Sequence, residues 1–192
     1  MEQKSQQMKS KQFTMDDIVK AEVEWKEMVA ANEMRLLTVF KEQGLHLAYE
    51  NAENNAWILK TLIDKKQRYR FKECKNLVMV GSGMYPYSMF DVYKKYPNIK
   101  QIGLEIDEKR ALISRLLIKA CPAKDAIKIE TVDALNYDYS WLGMDDLIFI
   151  SVDVDHKEII KKIIETSKAH VNICAPYDKT WLANLIRSFS VS

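Results

Sequence analysis

The run "NLVMVGSGMYPYSMF", residues 76–90, decides the fold. Four apolar residues, Leu77 to Val80, stop at Gly81-Ser82-Gly83, and a segment with Tyr85, Pro86 and Tyr87 follows. A continuous apolar run of this length, bounded by turn residues, is the pattern of a strand buried on both faces. Glycines at its end allow a tight strand-to-helix turn and let a ligand approach the backbone closely. A helix beginning near Tyr87 would present free N–H groups at the same place.

Downstream of this run the pattern repeats. "IKQIGLEI", "AIKIETV", "DDLIFISV" and "HVNICA" read as strands, and "YSMFDVYKKY", "KRALISRLLIKA", "KEIIKKIIETS" and "KTWLANLIRSF" read as the helices between and after them. Strand-helix alternation calls for a parallel sheet covered by helices on both faces. The expected fold is therefore α/β, a Rossmann-like doubly wound parallel sheet of about five strands. Upstream, the text is helical alone. Thr14 and Asp17 resemble a capping box, and Ile18, Ala21, Trp25, Met28, Leu36, Val39 and Phe40 recur at helical spacing until Gly44. A second periodic stretch from Leu45 to Ile63 ends in the basic "DKKQRYRFK". The expected organisation is a disordered tail over 1–12, an N-terminal helical lid segment over 13–72 and a Rossmann-like ligand-binding domain over 73–192.

Composition limits what the chain does. Its 192 residues suffice for one domain with a full core and a small appendage. A net charge of +2 gives no ground for a nucleic-acid or anionic-membrane partner. The polar start "MEQKSQQMKSKQF" lacks the apolar region of a secretory signal, and no stretch has the ~18 apolar residues of a membrane span. Cys74, Cys121 and Cys174 have no metal-ligand spacing, so reduced thiols in a cytoplasmic protein are expected and no metal site is assigned.

In a doubly wound sheet, ligands bind beyond the carboxyl ends of the strands. The second strand ends in "LEID", with Glu105 22 positions after Gly83, where an acidic side chain can accept hydrogen bonds from a ribose diol; Glu105 or Asp107 can alternatively cap the next helix. The third strand leads to "TVDALNYD", where Asp133 can accept from an adenine amino group beside the backbone of Ala134, or can simply form a turn. The fourth ends in "ISVDVDHKE". Here Asp153, Asp155 and His156 at one strand tip suggest a substrate or metal position; for Asp155 a cap of the next helix is preferred, with Lys157 and Glu158 as solvated first-turn residues, and Asp153 stays open. "LAYENAENNAW" sets Tyr49 and Asn55 on a helix, facing either polar substrate groups or solvent.

A glycine turn, an acidic second strand tip and an Asp after the third strand resemble the class I S-adenosylmethionine-dependent methyltransferases. Within that fold "VGSGMYPYS" is similar to the G-S-G-P-L-P-L-T-S turn of the nicotianamine synthase branch. Gly81, Ser82, Gly83 and Pro86 match, Ser88 stands for Thr, and Met84, Tyr85 and Tyr87 replace Pro, Leu and Leu. "SVDVDH" also resembles the fourth strand end of catechol-type, metal-dependent O-methyltransferases. A dinucleotide oxidoreductase shares the first two features, but Pro86 stands where its third glycine belongs.

The resemblance implies S-adenosylmethionine as cofactor, held by Gly81, Ser82, Gly83, Glu105, Ile106, Asp133, Ala134 and Ser151. It implies Tyr85, Tyr87 and Asp153 as candidate catalytic residues, Tyr49 and Asn55 as candidate substrate residues, and a small molecule as substrate. Methyl transfer is expected first. Transfer or cyclisation of the 3-amino-3-carboxypropyl arm, releasing methylthioadenosine, comes second, and a non-catalytic S-adenosylmethionine-binding adaptor third. The short C-terminus leaves no room for a final antiparallel hairpin, so a homodimer is one expected way to cover a sheet edge.

Overall fold

A computed structural model describes residues 27, 31, 33–35, 37–50, 52, 71–151, 154 and 156–173. The chain divides into two compact units, Met1–Thr38 and Val39–Ser192. In the first, the described residues are helical. In the second, residues 39–43 are helical and Gly44 turns the chain at φ 120° into a short helix α1 (Leu47–Glu50). Residues 39–50, assigned from sequence to the N-terminal helical segment, thus share a compact unit with the sheet. The expected tail over 1–12 lies outside the described residues.

Five strands follow: β1 (Asn76–Val80), β2 (Lys100–Glu105), β3 (Ile127–Thr131), β4 (Leu147–Ile150) and β5 (His170–Ile173). They form one sheet in the order β3-β2-β1-β4-β5, every neighbouring pair parallel. Helices α2 (Tyr87–Lys95), α3 (Glu108–Lys119) and α4 (His156–Thr166) connect them. This is the Rossmann-like doubly wound α/β fold. The order reverses at β1, whose neighbours are β2 on one side and β4 on the other, and that reversal opens the crevice where such sheets bind ligands.

Both faces of the sheet are buried, which is why its central strands do not alternate in polarity. Val78, Val80, Ile148 and Ile150 pack with Ile159, Ile160 and Ile163 of α4 and with Tyr139 and Leu142. Residues of the other parity, Leu77, Met79, Leu147 and Phe149, are buried as well, and Phe149 stacks on Phe71 at 5.9 Å. Burying a Leu, Ile or Phe side chain contributes roughly 1.5–3 kcal/mol, so this two-sided core is the main source of stability. Helix α3 is capped by Asp107, whose Oδ1 accepts from Arg110 N at 2.9 Å. Of the two acidic residues eligible from sequence, the cap is therefore Asp107, and Glu105 is left for other work. At the opposite end of the sheet the Asp146 carboxylate accepts from Asn76 N and Nδ2 (3.0 Å each) and from Gly143 N (2.8 Å), tying β1 to the entry of β4.

Candidate functional site

The crevice at the carboxyl ends of β1, β2 and β3 holds a cavity of about 350 Å³. From the sequence-predicted residues it brings together Gly81, Glu105, Ile106, Asp133 and Ala134; Arg110, Val154, Glu158 and Ile159 complete much of the wall.

The glycine turn is built from β2 as much as from β1. Gly81 and Gly83 adopt φ of 72° and 73°, the left-handed region that side chains with a Cβ rarely occupy. A Cβ on Gly81 would also stand 2.5 Å from Val154 Cγ2 and 3.1 Å from Ser151 Cβ, so the turn lies directly against the segment after β4. The amides of Gly81 and Ser82 both donate to Leu104 O, at 2.9 and 3.0 Å. Gly83 N donates to Glu105 Oε2 at 2.9 Å, and Asp107 N to Glu105 Oε1 at 3.0 Å. The three amides of the turn are therefore spent inside the protein. Ser82 sinks onto β2, where Gly103 makes room: a Cβ there would lie 2.8 Å from Ser82 Cβ.

Glu105 is 4% exposed. A carboxylate offers about four acceptor positions, and backbone donors take two, one per oxygen, so each oxygen keeps capacity for a hydroxyl donor. Asp133 Oδ1 accepts from Leu135 N at 2.9 Å in a local turn, and Asp133 O accepts from Asn136 N at 2.8 Å. The turn reading and the ligand reading of Asp133 are thus compatible, since one carboxylate oxygen shapes the loop while the residue lines the cavity. Ile106, 70% exposed, supplies an apolar surface at the rim. Among the described residues around the cavity, Glu105, Asp133 and Glu158 set three carboxylates against the guanidinium of Arg110.

The remaining expected residues are placed differently. Ser82 is buried behind the turn, Gly83 hangs on Glu105, and Ser151 backs Gly81, its amide donating to Val80 O at 2.9 Å. Tyr85 is buried, edge-on to Phe40 at 5.4 Å and stacked on Tyr87 at 5.6 Å. Tyr49 is half-buried and packs on Phe90 (5.5 Å) and Tyr93 (6.3 Å) of α2, with Lys94 Nζ 4.9 Å from its ring centre. None of these lines the cavity. Asn55 and Asp153 lie outside the described residues.

Sequence reasoning missed Arg110, Val154, Glu158 and Ile159. Glu158, read as a solvated first-turn residue, is exposed and still lines the cavity. The usable signal was positional: the first turn of a helix that follows a strand tip in this fold stands beside the ligand crevice. Among the described residues no cluster of side chains is able to hold a metal ion, and no helix is long and apolar enough to cross a membrane.

No protein-family model and no curated protein matches the chain. Solved structures with a similar chain path include a precorrin-6y C5,15-methyltransferase from Geobacter metallireducens GS-15, 17% identical over 68% of this chain and 74% of that one, TM-score 0.48. The [4+2]-cyclase SpnF is 13% identical over 65% and 56%, TM-score 0.48. M. capricolum TrmK, solved with S-adenosyl-homocysteine, is 12% identical over 66% and 58%, TM-score 0.47. StiE O-MT residues 942–1257 are 18% identical over 57% of this chain, TM-score 0.45, and the present chain spans 37% of that one. These are likenesses of chain path alone and assign no activity.

Proposed function

We propose that the chain is an S-adenosylmethionine-dependent transferase acting on a small molecule. The observation that carries this reading is the use of the glycine-turn amides. A dinucleotide site directs such amides at a pyrophosphate. Here Gly81, Ser82 and Gly83 donate instead to Leu104 O and Glu105, and among the described residues the cavity wall holds three carboxylates to one cation. That wall suits a ligand with a ribose diol and a positive centre and repels one with phosphates.

The residues present fit the cofactor. The open acceptor capacity of Glu105 faces a ribose diol, the Asp133 side chain and the Ala134 backbone border an adenine, and Ile106, Val132 and Ile159 give the apolar contact that excludes water. When bound, the cofactor supplies a sulfonium with two electrophilic carbons, the methyl and the γ-carbon of its aminobutyrate arm. The protein's task is then largely positioning, which is worth roughly 7–11 kcal/mol in well-oriented reactions. Methyl transfer is the first reading. The second reading, attack on the arm, is supported by the resemblance of Gly81, Ser82, Gly83 and Pro86 to the turn of the arm-transferring nicotianamine synthases.

The test is to incubate purified protein with S-adenosylmethionine, first alone and then with candidate acceptors, and to analyse the small molecules by mass spectrometry. S-adenosylhomocysteine formed only with an acceptor supports methyl transfer. Methylthioadenosine moves the assignment to the arm. Binding without turnover under all conditions leaves an adaptor, and absence of binding by calorimetry overturns the proposal.

A further inference from the structure

The loop that follows β3 carries Asp133 and Ala134 into the cavity wall, and its backbone is held from behind by two side chains that do not line the cavity. Tyr139 is fully buried, and its hydroxyl donates to Ala134 O at 3.1 Å. Lys162, on α4, donates from Nζ to Leu135 O. The same ammonium lies 5.9 Å from the centre of the Tyr139 ring, within cation–π range. The ring is further braced edge-on by Tyr137 at 5.0 Å, and burial, followed by the neighbouring Tyr137 and Asp133, holds its hydroxyl in the protonated, donating form. Two consecutive carbonyls, those of Ala134 and Leu135, are thereby both fixed.

Fixing these carbonyls fixes the planes of the peptides that contain them. The amide of the Ala134–Leu135 peptide closes the Asp133 turn through Leu135 N and Asp133 Oδ1. The next peptide's amide, Asn136 N, donates back to Asp133 O. Asp133 is therefore clamped through its own side chain and its own carbonyl, and each clamp uses a peptide whose other end is anchored by Tyr139 or Lys162. On the side of β2, Val132 N donates to Glu105 O at 3.0 Å, which sets the loop's origin relative to the carboxylate at the ribose position.

We propose that Tyr139 and Lys162 are positioning residues that set the nucleobase specificity of the site by holding Asp133 in register with the ligand's exocyclic amino group. The proposal rests on the assignment of the cavity to an adenosyl ligand. A rigid Asp133 distinguishes an amino group from the oxo group of hypoxanthine, because a carboxylate accepts from the first and repels the second. A loosened one loses that distinction while leaving ribose binding at Glu105 intact.

The test compares Tyr139→Phe, which keeps the ring, and Lys162→Met, which keeps the length, with the unaltered protein. Binding of S-adenosylhomocysteine and of S-inosylhomocysteine is measured by calorimetry, and hydrogen exchange of residues 132–139 is followed without ligand. Loss of one hydrogen bond corresponds to about a tenfold drop in affinity for the adenosyl ligand. The inosyl ligand is expected to change by less than about twofold, so that the ratio between the two collapses, with Lys162→Arg restoring it. Faster exchange over 132–139 is expected in the same variants. Equal losses for both ligands, or faster exchange with an unchanged ratio, overturns the proposal, since the pair would then only stabilise the loop. No binding of either ligand by the unaltered protein removes the adenosyl assignment itself and this proposal with it. Should Tyr139→Phe fail to fold, Lys162→Met decides alone, because Lys162 is only half-buried.

Discussion

Replacing Gly103 by alanine tests how the glycine turn is supported. Gly103 lies within β2, so the backbone there accepts any residue; the obstacle is contact. The added Cβ would stand 2.5 Å from Ile129 Cδ1 and 2.8 Å from Ser82 Cβ. The first neighbour is the end of a flexible side chain and can rotate away. The second is fixed to the backbone of the turn. Carbon atoms pack at about 3.5–4.0 Å, so Ser82 must retreat by roughly 0.7–1.2 Å. The Ser82 N to Leu104 O bond is 3.0 Å long, and a retreat of that size carries it beyond hydrogen-bonding range. Overpacking costs about 1–3 kcal/mol and a lost hydrogen bond about 0.5–1.5 kcal/mol, giving an expected destabilisation of about 2–4 kcal/mol. Urea unfolding reads this term directly. Calorimetry with S-adenosylhomocysteine reads the second consequence, at least a tenfold loss of affinity, because the displaced turn borders the cavity. The control is Gly143→Ala, whose Cβ would meet nothing closer than Asp146 Oδ2 at 3.8 Å; it is expected to change stability by less than about 0.5 kcal/mol. A Gly103→Ala protein that unfolds and binds as the unaltered one refutes the claim that this glycine seats the turn.

Further outcomes follow from other contacts. Glu105→Gln replaces one acceptor oxygen by an amino group that meets a backbone N–H, so it is expected to lower adenosyl-ligand affinity about 10–100-fold and stability by about 1–3 kcal/mol, read by calorimetry and urea unfolding. Asp146→Ala orphans the amides of Asn76 and Gly143 and is expected to cost about 2–4 kcal/mol in the same unfolding assay, with Asp146→Asn milder because it keeps an acceptor. Burial and the nearby Asp146 push the Cys74 thiol up to about 12, so its alkylation by iodoacetamide at pH 8, followed by peptide mass mapping, is expected to run about a thousandfold slower than an unperturbed thiol. The Ser140 backbone N–H lowers the Asp138 carboxyl below its ordinary value. Its stabilising contribution is present above the unfolded-state pKa near ~3.9 and is lost as pH falls through the lower folded value. Asp138→Asn is accordingly expected to flatten the fall of Tm below about pH 4.

The class of fold was legible in the chain because burial leaves a mark on composition. Runs such as Leu77–Val80 and Leu147–Ile150 are apolar at both parities, as only strands covered on both faces need to be, and the helices between them were recognisable by period. Gly81, Glu105 and Asp133 line the cavity because they stand at or just past strand ends and the parallel sheet brings all carboxyl ends to one edge. What these residues do was decided by tertiary contacts. That Asp107 rather than Glu105 caps α3, that the turn's amides face Leu104 and Glu105 instead of a ligand, and that Gly103 exists to admit Ser82 all depend on β1 and β2 lying side by side at one register. Tyr139 and Lys162 carry no local signal at all. They lie 23 residues apart and meet only because α4 packs over the loop after β3. Periodicity along a chain records which residues are buried; which of them touch is set by the pairing of segments distant in sequence, and the chemistry of the crevice is made of such pairs.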